Sequence, residues 1–131
     1  MILKIDTSKR EEFKDITNEI DEIVKNSGID KGIVNVFVQH TTAGITINEN
    51  ADPDVVRDML STFDKIVPFE DNYKHYEGNS HAHIKASMLG SSVSIPIEEG
   101  KMILGTWQGI YFCEFDGPRN RKVVVSIIES K

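Results

Sequence analysis

Apolar positions recur along the chain with two different periods, and each change of period marks an expected element boundary. Ile2 to Ile5 reads as a short strand. Ser8 followed by Glu11 has capping-box spacing and opens a helix. Its apolar stripe, Phe13, Ile16, Ile20, Ile23 and Val24, steps by three and four residues and ends at Ser27-Gly28. Ile33 to Val38 is rich in β-branched residues, and Ala43 to Ile47 is a second strand of this region. Asp52-Pro53 has the form of an N-cap followed by proline at the first helical position, with Val56, Met59, Leu60 and Phe63 as the apolar face of that helix. Pro68 to Ser80 has no sustained period and predicts a long ordered loop, a length often associated with function. His81 to Leu89 predicts a short helix closed by Gly90. Three β segments follow: Ser92 to Ile97, Lys101 to Trp107 running on toward Phe115, and Lys122 to Ile128. Glu99-Gly100 and Asp116-Gly117-Pro118 are the turns between them, so consecutive strands are expected to pair antiparallel. The pattern predicts an α+β fold: one domain over 1–131, with an antiparallel sandwich-like β core and two main helices and one short helix outside.

Composition narrows the classes of function. With 39% hydrophobic residues over 131 positions, the chain can build a core without a disulfide or metal staple. Its longest uninterrupted apolar runs are a few residues, far short of the roughly 20 a membrane-spanning helix needs. A formal net charge of −6 argues against broad phosphate-backbone binding, so no nucleic-acid partner is expected. The single cysteine, Cys113, and an N-terminus without a secretory pattern predict a reducing, cytoplasmic setting.

All four histidines fall in two places: His40 at the end of a hydrophobic strand, and His75, His81 and His83 around the long loop. If the loop folds over the strand end, these imidazoles converge. Three nitrogens plus one water would make an open Zn²⁺ site, although the spacing matches no standard zinc signature. Surface or hydrogen-bonded loop histidines are the other reading. His81 and His83, two apart, cannot share a helix face; His83 is assigned to the site and His81 to a cap or a supporting position. Carboxylates and amides are dense nearby, with Glu49, Asn50 and Asp52 after the first histidine and Glu77 and Asn79 between the others. Glu77 and Asp52 are the candidate base or orienting groups, and Asp52 equally suits helix capping. Arg119, Arg121 and Lys85 are candidate phosphate contacts, the alternative for a turn arginine being simple solvation. Trp107 suits either stacking on a heteroaromatic ligand or a place in the core or an interface. Cys113, in an apolar strand, reads as a buried hydrophobe.

Three blocks, QHTTAGITINENADPDV (Gln39 to Val55), YKHYEGNSHAHIKASMLGSSVSIPI (Tyr73 to Ile97) and GTWQGIYFCEFDGPR (Gly105 to Arg119), closely resemble the YjbQ-like family, also described as secondary thiamine-phosphate synthases. The resemblance covers nearly the whole chain. It implies a small cytosolic protein of sandwich-like α+β fold, a homotrimer, and a cleft that looks like a metal and phosphate site. Residue by residue, the family's histidines match His40, His75 and His83, and Asn50, Asp52, Glu77, Lys85, Gln108 and Arg119 lie in matching blocks. The activity attached to the family joins a pyrimidine pyrophosphate to a thiazole phosphate. The resulting expectation is a metal held by His40, His75 and His83, with Glu77 or Asp52 as base or orienting group. Lys85, Arg119, Asn50 and Gln108 would contact a small phosphorylated metabolite. Zn²⁺ suits so nitrogen-rich a site best, and Mg²⁺ is the alternative for the transferase reaction. A non-catalytic trimeric module binding a metabolite or metal in the same pocket is the competing expectation.

Overall fold

A computed structural model describes residues 1–131. In chain order its elements are β1 (Ile2–Asp6), β2 (Glu12–Asp15), α1 (Thr17–Ser27), β3 (Gly32–Val38), β4 (Ala43–Glu49), α2 (Pro53–Ile66), α3 (Ser80–Leu89), β5 (Ser92–Glu98), β6 (Lys101–Met102), β7 (Gln108–Glu114) and β8 (Asn120–Glu129). The fold is α+β. Its strands form two sheets, ordered β1-β8-β3-β5-β6 and β2-β7-β4, with every ladder antiparallel.

Alternation along the strands builds the layers. Val34, Val36 and Val38 of β3, Ile95 and Ile97 of β5, and Val123 and Val125 of β8 point inward from the large sheet. They meet Ala43, Ile45, Ile110 and Phe112 of the small sheet, with Ile20 and Val24 of α1 completing this core. The opposite face of β7 carries Tyr111 and Cys113, which with Phe115 just beyond it pack against Ala82 and Ala86 of α3, while Phe13 and Val56 border the cluster. The order of layers is therefore large sheet, small sheet, then α2 and α3.

Helix α3 sits close on β4 because Gly44 has no side chain. A Cβ there would lie 2.9 Å from the Gly90 carbonyl oxygen and 3.2 Å from Leu89 Cβ. The Gly90 carbonyl in turn accepts the Ile45 amide at 3.1 Å. This contact seats the last turn of α3 against the start of β4.

Three expectations are corrected. The first helix starts at Thr17, not near Ser8, and Phe13 lies in β2 opposite Cys113. The aromatic neighbours Tyr111 and Phe115, with ring centroids 5.8 and 6.3 Å from Phe13, hold that segment on the small sheet. Asp15 accepts the Thr17 amide at 2.9 Å, so the helix is started there, while Ser8 donates its amide to Glu12. The segment from Lys101 toward Phe115 is two strands in different sheets, broken where Gly105 donates its amide to Gln108 Oε1 at 2.8 Å. Finally, β3 to β4 and β7 to β8 cross between sheets instead of forming hairpins, whereas the Glu99-Gly100 turn does join a paired β5 and β6. Both turn residues have positive φ, 51° and 75°, as a tight two-residue hairpin requires. No helix is long and apolar enough to cross a membrane.

Candidate functional site

The crossovers leave one end of the sandwich ringed by chain segments rather than closed by hairpins. A polar cleft of about 450 Å³ opens there, with no hydrophobic residue in its wall. Its floor is an inward-facing ion pair. Glu114 continues the inward row of Ile110 and Phe112 on β7, and Arg121 continues that of Val123 and Val125 on β8, so each strand ends in a charged residue at a core position. Arg121 donates from Nε to Glu114 Oε1 at 2.8 Å and from Nη2 to Oε2. Thr7 Oγ1 donates to the same carboxylate at 2.7 Å, the Asp116 amide at 3.0 Å, and Thr42 Oγ1 accepts from Arg121 at 2.9 Å. Burial alone would raise the Glu114 carboxyl, but hydrogen bonds from Arg121, Thr7 and the Asp116 amide outweigh it and hold the group below its ordinary value.

The histidines reach this cleft from three segments. His40 follows β3, His75 is on the loop after α2, and His83 is in the first turn of α3. The rings of His75 and His83 meet edge to face, 5.5 Å apart and at 87°. His40 Nε2 accepts the Lys122 amide at 3.1 Å, so in the neutral ring the proton resides on Nδ1. Burial, and then the Arg121 charge, lower the His40 pKa and favour that neutral ring. Glu77 Oε2 lies 3.9 Å from His75 Nε2, beyond hydrogen-bond range. Across the cleft Arg119 grips Asp116, from Nε to the carbonyl at 2.8 Å and from Nη2 to Oδ2 at 3.0 Å. Asn79 also donates to that Oδ2, at 3.0 Å, while its own Oδ1 is buried with no partner.

Helix geometry separates the two histidines of α3. His83 faces the cleft, whereas His81 is buried on the other side with Lys85. Lys85, fully buried, donates to Glu11 at 3.0 and 3.1 Å and to Asp64 at 2.6 Å, so its ammonium is consumed by carboxylates away from the cleft and is not a phosphate contact there. The His81 ring stacks edge-on with Phe69 at 4.6 Å, and neither of its nitrogens has a partner.

Asn50, Asp52 and Gln108 are also elsewhere. Ala43 pairs with Glu114 at the cleft and Glu49 with Gln108 at the far end, a run along β4 of ~20 Å at about 3.3 Å per residue. Asp52 caps α2, accepting the Asp54 amide at 2.9 Å. Asn50 lies over Gly109, where a Cβ would collide with it, and donates to Asp15 at 3.2 Å. Trp107 is exposed at the same end and is not part of the core. Of the expected site, the cleft thus unites His40, His75, His83, Glu77 and Arg119. Arg121 and Asn79, also singled out in the sequence, line it too; Asp116 and Thr42 are new, with buried Glu114 paired to Arg121. The signal for the floor was available in the alternation, which sets Glu114 and Arg121 at inward positions.

Residues 1–130 match the family described as UPF0047 protein YjbQ-like. The chain belongs to the YjbQ-like UPF0047 family. YugU, a UPF0047 protein of Bacillus subtilis, is 52% identical over 127 residues, 96% of each chain. A UPF0047 protein of Methanocaldococcus jannaschii is 52% identical over 128 residues, 98% of this chain and 93% of that one. Among solved structures, a YjbQ/UPF0047 protein of Clostridium acetobutylicum superposes with a TM-score of 0.96 at 61% identity, covering 98% of this chain and 99% of that one. The Sulfolobus solfataricus member gives 0.95 at 36% identity, over 99% and 96%. Membership in the UPF0047 family carries the fold; the chemistry has to be read from the cleft.

As placed, no three His, Cys, Asp or Glu side chains form a metal-holding group. The donor set still suits a cation. His75 and His83 face each other with no hydrogen bond to either ring, and the orphaned Asn79 Oδ1 is a buried acceptor on the same wall. His40 would have to release the Lys122 amide, because binding through Nδ1 moves the ring proton to Nε2.

Proposed function

We propose that the cleft binds a divalent transition metal, Zn²⁺ by preference, and acts on a small phosphorylated metabolite. The observation that carries this reading is the convergence of His40, His75 and His83 from three separate segments on one wholly polar cleft beside Glu77 and Arg119. His75 and His83 would hold the ion, with His40 as third ligand after its ring exchanges hydrogen bonds. When bound, the metal supplies Lewis-acid polarisation of a phosphoryl oxygen. Glu77, 3.9 Å from His75 Nε2, would close on that ring to orient it or take a proton, and Arg119, fixed on one edge by Asp116, would offer Nη1 to an anion. Joining a pyrimidine pyrophosphate to a thiazole phosphate is the candidate reaction, in a cytosolic homotrimer, with Mg²⁺ as the alternative ion for that transfer.

A non-catalytic binding module is the second reading. It is favoured by the placement of Asp52 and Lys85 outside the cleft, which leaves Glu77 as the one candidate base from the expected set. Elemental analysis of protein purified without an affinity tag, together with turnover of the two thiamine precursors, tests both. About one equivalent of metal per chain, lost in His75→Ala/His83→Ala, supports the site; turnover decides for the enzyme. Metal content equal in wild type and double variant overturns it.

A further inference from the structure

On the outer flank of His40 the large sheet carries a second cavity, of about 510 Å³, lined by Lys4, Asp6, His40, Asn120, Arg121 and Lys122. Lys4 and Lys122 are directly opposed across the β1/β8 ladder, so both ammonium groups leave the same face of the sheet. Like charges placed opposite one another disfavour the pairing, and neither lysine takes part in a salt bridge that would relieve it. Asp6 is the one carboxylate in the wall, while Arg121 is already neutralised by Glu114. The wall is therefore net positive in a chain whose formal charge is −6. The histidine cleft has the opposite balance. There both arginines are paired with carboxylates, and Glu77 remains as an additional negative group. His40 and Arg121 line both spaces, so the two cavities adjoin on either side of these residues.

We infer that Lys4 and Lys122 form an anion subsite that takes the phosphate end of an elongated ligand whose other end lies among the histidines. The inference rests on the proposed reading of the cleft and adds where the phosphate sits: at Lys4 and Lys122, remote from the group handled at His75 and His83. The division of labour follows from the charges. The histidines and carboxylates of the cleft suit a cation, whereas two unpaired ammonium groups suit a phosphate.

Calorimetric titration of the whole protein with inorganic pyrophosphate, in the presence of a chelator, tests this. Wild type is expected to bind it saturably, one per chain. Lys4→Gln/Lys122→Gln should weaken binding about tenfold, as loss of two exposed charged contacts implies. Both positions are solvent-facing, so the variant keeps its fold, and Lys65→Gln on exposed α2 serves as the charge control with unchanged affinity. His75→Ala/His83→Ala should retain pyrophosphate affinity within about twofold while losing metal, which separates this subsite from the metal reading. Affinity of the double lysine variant within about twofold of wild type, an equal loss in Lys65→Gln, or no saturable binding by wild type overturns the inference. If the lysine effect appears but the histidine variant keeps its metal, the cleft reading fails and the anion subsite stands.

Discussion

Helix α3 has an imidazole on each of two faces, and the surroundings of the two rings differ in almost every respect. On one face His81 and Lys85 are sealed under the loop by Glu11, Asp64 and Phe69. On the other His83 opens into a polar cleft opposite His75, with Glu77 and Arg119 near. The residue types are nearly the same on both sides: histidine, a cation, carboxylates. On the sealed side the cation has already spent its donors on two protein carboxylates, and the two unpartnered nitrogens of His81 are buried out of a ligand's reach. On the open side the rings of His75 and His83 make no hydrogen bond and line a cleft that a ligand can enter. Chemistry is therefore assigned by unused hydrogen-bonding capacity facing solvent, not by the presence of reactive residue types.

The sharpest way to break this contrast is at the cleft floor. Removing one member of a buried ion pair strands its partner, so Glu114→Gln should cost about 3–5 kcal/mol in urea unfolding at neutral pH. Because the folded-state pKa of Glu114 is depressed, its contribution is complete above the ordinary value of 4.5 and disappears as pH falls through the folded value. The difference between wild type and variant should accordingly narrow on acidification below 4.5. A constant difference across that range would show that the ion pair is not the source.

On the sealed face, Lys85→Met leaves Glu11 nearly buried, while the half-exposed Asp64 can rehydrate, so the expected loss is about 2–4 kcal/mol. Its counterpart His83→Ala should lie within about 0.5 kcal/mol of wild type, as surface changes usually do, yet lose metal. Equal effects of the two on stability would remove the distinction between the faces of α3.

A smaller effect than that of Lys85 concerns His81. Burial lowers its pKa, with Glu11 opposing, so the unfolded chain takes up a proton at higher pH than the folded one. Stability should fall as pH drops through the ordinary value of 6.5. His81→Leu, which removes two unpartnered nitrogens, should be neutral or stabilising by up to about 1 kcal/mol and should flatten that slope in thermal melts. A slope unchanged in His81→Leu would assign it to another group, with His40 next in line.

The strands and the two later helices were legible because their periods are local properties: β3, β4, α2, α3 and β5 begin and end within a residue or two of the pattern. The start of α1 was not. Phe13 has the right spacing to continue a helical stripe, and only its distant partners Tyr111 and Phe115 decide for a strand. Sheet assignment failed for a related reason, since a turn sequence shows that the chain reverses but not whether the next strand joins the same sheet. Within the candidate site, the exclusion of His81 in favour of His83 followed from helix geometry alone. Lys85 was misplaced despite belonging to the same helix, because being two residues from His83 puts it on the opposite face, beside His81. Asn50, Asp52 and Gln108 stand in blocks that match the family, and a matching block does not say which end of a strand a residue occupies.

Gly44 contributes no functional group, yet it governs the aperture of the cleft. The end of α3 rests on bare backbone there, and any added methyl would meet the Gly90 carbonyl at 2.9 Å. A helix levered outward at its C-terminal end would carry His83 with it and change the gap to His75. The tolerance of the site is thus set by a residue that never touches a ligand, and selection on the spacing of two imidazoles would be felt as selection against side-chain volume on a neighbouring strand.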